Sequence, residues 1–158
     1  MLLTKNKKVV LIYPDKITLE FLASLKVRRK MLNFTLRECS KKLGIVISNL
    51  NYYERGLSYP CLKNLIKLAE FYGADISGSI NWKIYHGKIN LKNLRQQKER
   101  YDFSFSDISE ECELSKNTLF RALSGKPEGS IRGLGLLIDV IEREKERERF
   151  RNELLQSK

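Results

Sequence analysis

The sequence predicts an all-α protein made of two small helical bundles in tandem. Three observations carry that prediction: apolar residues at helical spacing, helix start and stop signals at short intervals, and an internal repeat. Sliding the chain against itself by 69 positions aligns Leu22 with Leu91, Leu25 with Leu94, Phe34 with Phe103 and Thr35 with Ser104. The match continues through Ser40 with Ser109, Leu50 with Leu119, Gly56 with Gly125, Leu62 with Ile131 and Leu65 with Leu134. It needs no gap over roughly fifty residues, longer than chance keeps apolar positions and a turn glycine in step.

The elements follow in order. Residues 1–17 form an N-terminal extension, and the first bundle spans 18–77. Leu19, Leu22, Leu25 and Arg29 lie three to four apart, predicting a first helix over 18–32. Thr35 reads as an N-cap with Glu38 three residues on, a capping box. That second helix stops at Leu43-Gly44, where glycine can take a left-handed conformation. A third helix runs to Arg55-Gly56, and Pro60 opens a fourth carrying Leu62, Leu65, Ile66 and Ala69. Residues 78–89 are expected as a linker. The β-branched run 8–13 and the alternation of Ile80, Trp82 and Ile84 over 80–85 predict a short two-stranded β ribbon flanking the first bundle.

The second bundle, 90–141, repeats the grammar. It has a helix from Leu91 to Arg100, Ser104 as a cap with Asp107 three residues later, and Ser115 as the cap of a third helix. A loop over 125–129 follows. Ile131, Leu134, Leu137, Ile138 and Ile141 then line the last helix. Residues 142–158 interleave Glu with Arg and Lys, as in a solvated helical extension, with Phe150, Leu154 and Leu155 as partner contacts.

Composition narrows the function. The 158 residues are 42% apolar, enough for packed cores. The apolar runs Val9–Tyr13 and Leu134–Ile138 fall far short of the ~20 residues of a membrane span. A soluble, non-exported protein is therefore expected. Three cysteines (Cys39, Cys61, Cys112) form no CxxC pair and leave an odd count, which favours a reduced cytoplasm. Cys39 and Cys112 read as small apolar core residues. A single histidine, His86, starves both a Ser-His-Asp site and a histidine-based metal site. Gly125-Lys126 is no phosphate loop, because position 120 is Phe. The expectation is no enzyme, no metal and no cofactor.

The net charge of +11 points to polyanionic partners. It is uneven: residues 1–86 hold 15 basic and 6 acidic side chains, whereas 87–158 hold 15 and 13.

Two short helices joined by a tight turn at Gly44 are helix-turn-helix grammar. The segment from Thr35-Leu36-Arg37-Glu38 through Gly44-Ile45 to Glu54-Arg55-Gly56, followed by Pro60, resembles the Xre/Cro-type (lambda-repressor-like) DNA-binding family. From Leu91 to Ile141, Leu114-Ser115-Lys116-Asn117-Thr118 through Gly125 resembles the antitoxin-like branch of the same superfamily. The resemblance implies two tandem lambda-repressor-like helix-turn-helix domains, with recognition helices 46–55 and 115–124 in the major groove. Carried over to this sequence, the DNA-contacting residues are Thr35, Arg37, Lys41, Ser48, Asn49, Tyr52 and Arg55. In the second copy they are Ser115, Lys116, Asn117, Thr118, Arg121 and Lys126.

The sequence departs from the family at Leu36 and Phe105, where a polar residue is usual, and at Val46-Ile47, which open the first recognition helix. Apolar side chains there suit thymine methyls or a protein face. Asp107, Glu110, Glu111 and Glu113 add acid to the second copy. The basic cluster Arg28, Arg29, Lys30, Arg37, Lys41, Lys42, Arg55, Lys63 and Lys67 reads either as phosphate contacts or as a solvated face.

Two functional readings result. In the first, the protein is a sequence-specific double-stranded DNA-binding transcriptional regulator, a repressor of bacterial or phage type in the cytoplasm and nucleoid. In the second, one copy binds DNA. The other copy, or the C-terminal helix, serves a homodimer or a protein partner, as in an antitoxin-like or inhibitor-like protein.

Overall fold

The computed structural model describes residues 12–102, 104, 106, 109, 115–123 and 131–157. Among them are nine helices and no strand: α1 (Lys16–Ala23), α2 (Leu25–Met31), α3 (Leu36–Leu43), α4 (Ile47–Glu54), α5 (Leu62–Phe71), α6 (Ile80–Tyr85), α7 (Leu91–Arg100), α8 (Lys116–Leu123) and α9 (Ile131–Gln156). The chain divides into two compact units, Met1–Lys88 and Ile89–Lys158.

In the first unit α1 to α6 surround a core centred on Leu25, Leu65 and Leu68, closed by Phe21, Leu50 and Ile66. The helix expected over 18–32 is two helices, broken at Ser24. The Ser24 hydroxyl donates to the Phe21 carbonyl at 2.6 Å and accepts from Arg28 Nε at 2.8 Å. A serine side chain that competes for backbone groups in this way interrupts a helix. Leu22 and Leu25 are buried as the spacing predicts, whereas Leu19 is exposed and Thr18 takes the interior.

The β ribbon is corrected as well. Residues 80–85, placed in the expected linker, form helix α6, with the Ser79 side chain accepting from Trp82 N. Ile80 and Ile84 are both buried, one helical turn apart. Three apolar residues at alternate positions satisfy both periods over so short a run. Ile12 and Tyr13 are not in a strand, and residues 8–11 of the predicted strand lie outside the described residues. The two segments do meet, through side chains. Buried Asn81 accepts from Tyr13 N at 2.6 Å and donates to Tyr13 O at 2.6 Å and Thr18 Oγ1 at 2.9 Å. The Asp15 carboxylate accepts from Thr18 N and from Ile80 N, both at 2.8 Å, so one residue caps α1 and holds the start of α6.

The second unit contains α7, α8 and α9. Its last helix runs on through the charged extension: α9 is one helix of 26 residues, about 39 Å long at the usual rise. Ile131, Leu134, Leu137 and Ile141 are buried, and Ile138 is half-buried. The charged part is tied back to α7. Tyr101 Oη donates to Glu148 at 2.8 Å and Arg100 donates to the same carboxylate at 2.7 Å. These bonds, the Tyr101 hydroxyl first, hold the Glu148 carboxyl below its ordinary range.

Helix boundaries recur at the offset of the sequence repeat. Met31, Ile47, Glu54 and Leu62 end or begin helices, and so do Arg100, Lys116, Leu123 and Ile131, each 69 positions later. Asn33 (φ 57°) and Asp102 (φ 55°) are the non-glycine residues with positive φ among those described, and they too are 69 apart. Each donates its N–H three residues back, to Lys30 O and to Glu99 O.

Candidate nucleic-acid interface

Helix α3 starts as its capping box predicts. The Thr35 hydroxyl accepts from Glu38 N at 3.2 Å, and Glu38 Oε2 accepts from Thr35 N at 2.7 Å and from Thr35 Oγ1 at 2.9 Å. These bonds, the backbone one foremost, hold the Glu38 carboxyl below its ordinary range. Cys39 and Leu43 face the core, and Gly44 ends the helix at φ 65°. The turn then buries Ile45 and leads through Val46, in extended geometry, into α4. Leu50 and Tyr53 anchor α4 inside, while Ser48, Asn49, Tyr52 and Arg55 face solvent.

A partly buried ion pair sets the position of α4. Arg29 Nε donates to Glu54 Oε1 at 2.6 Å and a terminal nitrogen donates to Oε2 at 3.0 Å. The other terminal nitrogen donates to the Phe34 carbonyl at 2.9 Å. One guanidinium thus joins α2, the approach to α3 and the last turn of α4. The bond to Glu54 pushes the Arg29 pKa up, against the opposing effect of burial. The phosphate-contact reading of Arg29 is therefore corrected, because its side chain is only 13% exposed and engaged on both faces of its fork. Lys67 is diverted too, donating to the Leu43 carbonyl at the end of α3, and Arg28 is held by Ser24. Lys30, Arg37, Lys41, Lys42, Arg55 and Lys63 remain solvent-exposed. Arg37 and Lys41, four residues apart on α3, share a face.

In the second unit Ser115, Lys116, Asn117 and Arg121 are exposed at the start and along α8, beside exposed Phe120. Thr118 lies in α8, with its side chain outside the described residues. Lys126, the 125–129 loop and the acidic positions Asp107, Glu110, Glu111 and Glu113 also lie outside them. The clamp differs here. Lys98 and Leu123 stand at the repeat positions of Arg29 and Glu54, so the carboxylate is gone. Arg95 donates instead to the Leu123 carbonyl at the end of α8.

The structure adds Glu54, missed as a partner because it lies 25 residues from Arg29 in the chain. Leu57 and Tyr59 are exposed in the loop after α4. His86 is exposed and packs its ring 4.4 Å from that of Trp82. Among the described residues no cluster suits a metal ion, and no helix is long and apolar enough to cross a membrane.

No curated protein and no solved structure matches the chain. Residues 25–78, from the first residue of α2 through α5 to the approach of α6, match the helix-turn-helix family, a DNA-binding domain class.

Proposed function

We propose that the protein is a sequence-specific double-stranded DNA-binding transcriptional regulator of the repressor type, with α4 and α8 as its two reading helices. The observation that carries this reading is the solvent face of α4. Ser48, Asn49, Tyr52 and Arg55 stand exposed on a helix that the Arg29–Glu54 clamp holds rigidly, next to the exposed cations of α3. Arg37, Lys41 and Lys42 neutralise phosphates, which contributes affinity and register but no sequence information. Asn49 and Asn117 have the paired donor and acceptor that adenine presents in the major groove, and Lys116 and Arg121 suit guanine. Binding needs no covalent step and no cofactor.

The recurrence of helix boundaries at 69 positions supports a second reader built on the same plan. The two heads differ in side chains, so the operator should be asymmetric. Footprinting the full chain on duplexes selected from a random pool tests this. A non-palindromic site protected by one chain supports it, and a perfect palindrome held by a symmetric homodimer would falsify the tandem reading.

The second reading, DNA binding by one unit and protein binding by the other, is favoured by the end of α9. Phe150, Leu154 and Leu155 are exposed on that helix, the last at 72%. Sedimentation of the full chain and of Leu154→Glu separates the two: a dimer lost in the variant supports the second.

A further inference from the structure

We infer that the first unit reads thymine methyl groups through Val46 and Ile47, so that its half of the operator is rich in A·T pairs. The inference deepens the DNA-binding reading and rests on it.

Val46 is 64% exposed and Ile47 40% exposed, side by side at the entry of α4. Val46 occupies the N-cap and makes no side-chain cap bond. Serine, threonine, asparagine or aspartate there would stabilise the helix start, as Thr35, Ser79 and Asn90 do for α3, α6 and α7. The chain forgoes that bond and places an aliphatic side chain in water instead.

The exposed cations of α3 and of the end of α4, Arg37, Lys41, Lys42 and Arg55, favour a polyanion as the partner of this surface. Of the four bases only thymine presents a methyl group in the major groove. Asn49, one helical turn into the same face, suits the adenine of an A·T pair. The repeat positions of Val46 and Ile47 are Ser115 and Lys116, both polar. Methyl reading through these two positions therefore belongs to the first unit.

The test uses the full chain and the duplex it enriches from a random pool, resynthesised with deoxyuridine for thymidine in one half at a time. That exchange deletes the methyl and leaves every hydrogen-bonding edge intact. In the half covered by the first unit, affinity should fall about fourfold for each contacted methyl. The double variant Val46→Ser, Ile47→Ser, with helicity checked by circular dichroism, should bind the thymine and uracil duplexes equally.

An enriched motif whose binding ignores the exchange in the half covered by the first unit overturns the inference and leaves DNA binding standing. So does a double variant that discriminates as the natural chain does. If no duplex is enriched at all, the DNA-binding reading fails and this inference fails with it.

Discussion

The Arg29 guanidinium makes three hydrogen bonds, two to Glu54 and one to Phe34 O. Removing one partner of such a pair leaves a partly buried charge unmatched. Glu54→Ala should therefore cost about 1–3 kcal/mol, and replacing both residues by apolar ones of similar volume should recover most of it. Urea unfolding followed by the fluorescence of Trp82, the chain's single tryptophan and part of α6, measures this for the first unit.

Glu38 gives a pH signature. Its folded pKa lies below the ordinary 4.5, because its carboxylate accepts from Thr35. The capping contribution is thus complete above that value and is lost as pH falls through the lower, folded one. Glu38→Gln keeps a reciprocal acceptor but cannot titrate. Its urea midpoint should lie below that of the natural chain at pH 6, and the gap should close as the pH falls through the lowered pKa of Glu38.

At the scale of elements, α3 and the Gly44 turn are set by local chemistry, whereas α6 is held by a polar clasp. Asn81 is fully buried, and its amide satisfies both backbone groups of Tyr13. Asn81→Ala leaves those groups without their partner in the interior, at a cost of about 1–3 kcal/mol for each group stranded. The expected outcome is a lowered melting midpoint by Trp82 fluorescence, with faster protease cleavage N-terminal to α1. An unchanged midpoint would show that the clasp adds nothing. Gly44, at φ 65°, has open space around a notional Cβ, so Gly44→Ala meets backbone strain alone, on the order of 1–2 kcal/mol.

For the whole molecule, the two units and the uneven charge shape both stability and binding. A chain of two compact units need not unfold in one step. In DNA binding, phosphate contacts and base contacts should separate by their salt response. Lys41→Ala should weaken binding to every sequence and lower the slope of log K against log salt by about one. Asn49→Ala should cost about 1–3 kcal/mol, relax preference at one base pair and leave the slope unchanged. Titrations of both variants at three salt concentrations check the pair. Identical behaviour would remove Asn49 from the reading face.

The sequence by itself determined where most helices begin and end. Thr35 with Glu38, Gly44, and the spacing of Leu62, Leu65 and Ile66 are local signals whose hydrogen bonds and periodicity are complete within a few residues. The 69-residue offset was legible for the same reason, since it copies those signals. The candidate site was half legible: its exposed residues on α4 follow from helical phase, but their support does not.

Tertiary structure alone decided that Arg29 is a clamp and not a phosphate contact, because its partner arrives from 25 residues away only once α2 and α4 pack. It also decided that 80–85 is helix. Six residues with three alternating apolar side chains fit either period, and burial of Ile80, Asn81 and Ile84 on one side settles the choice.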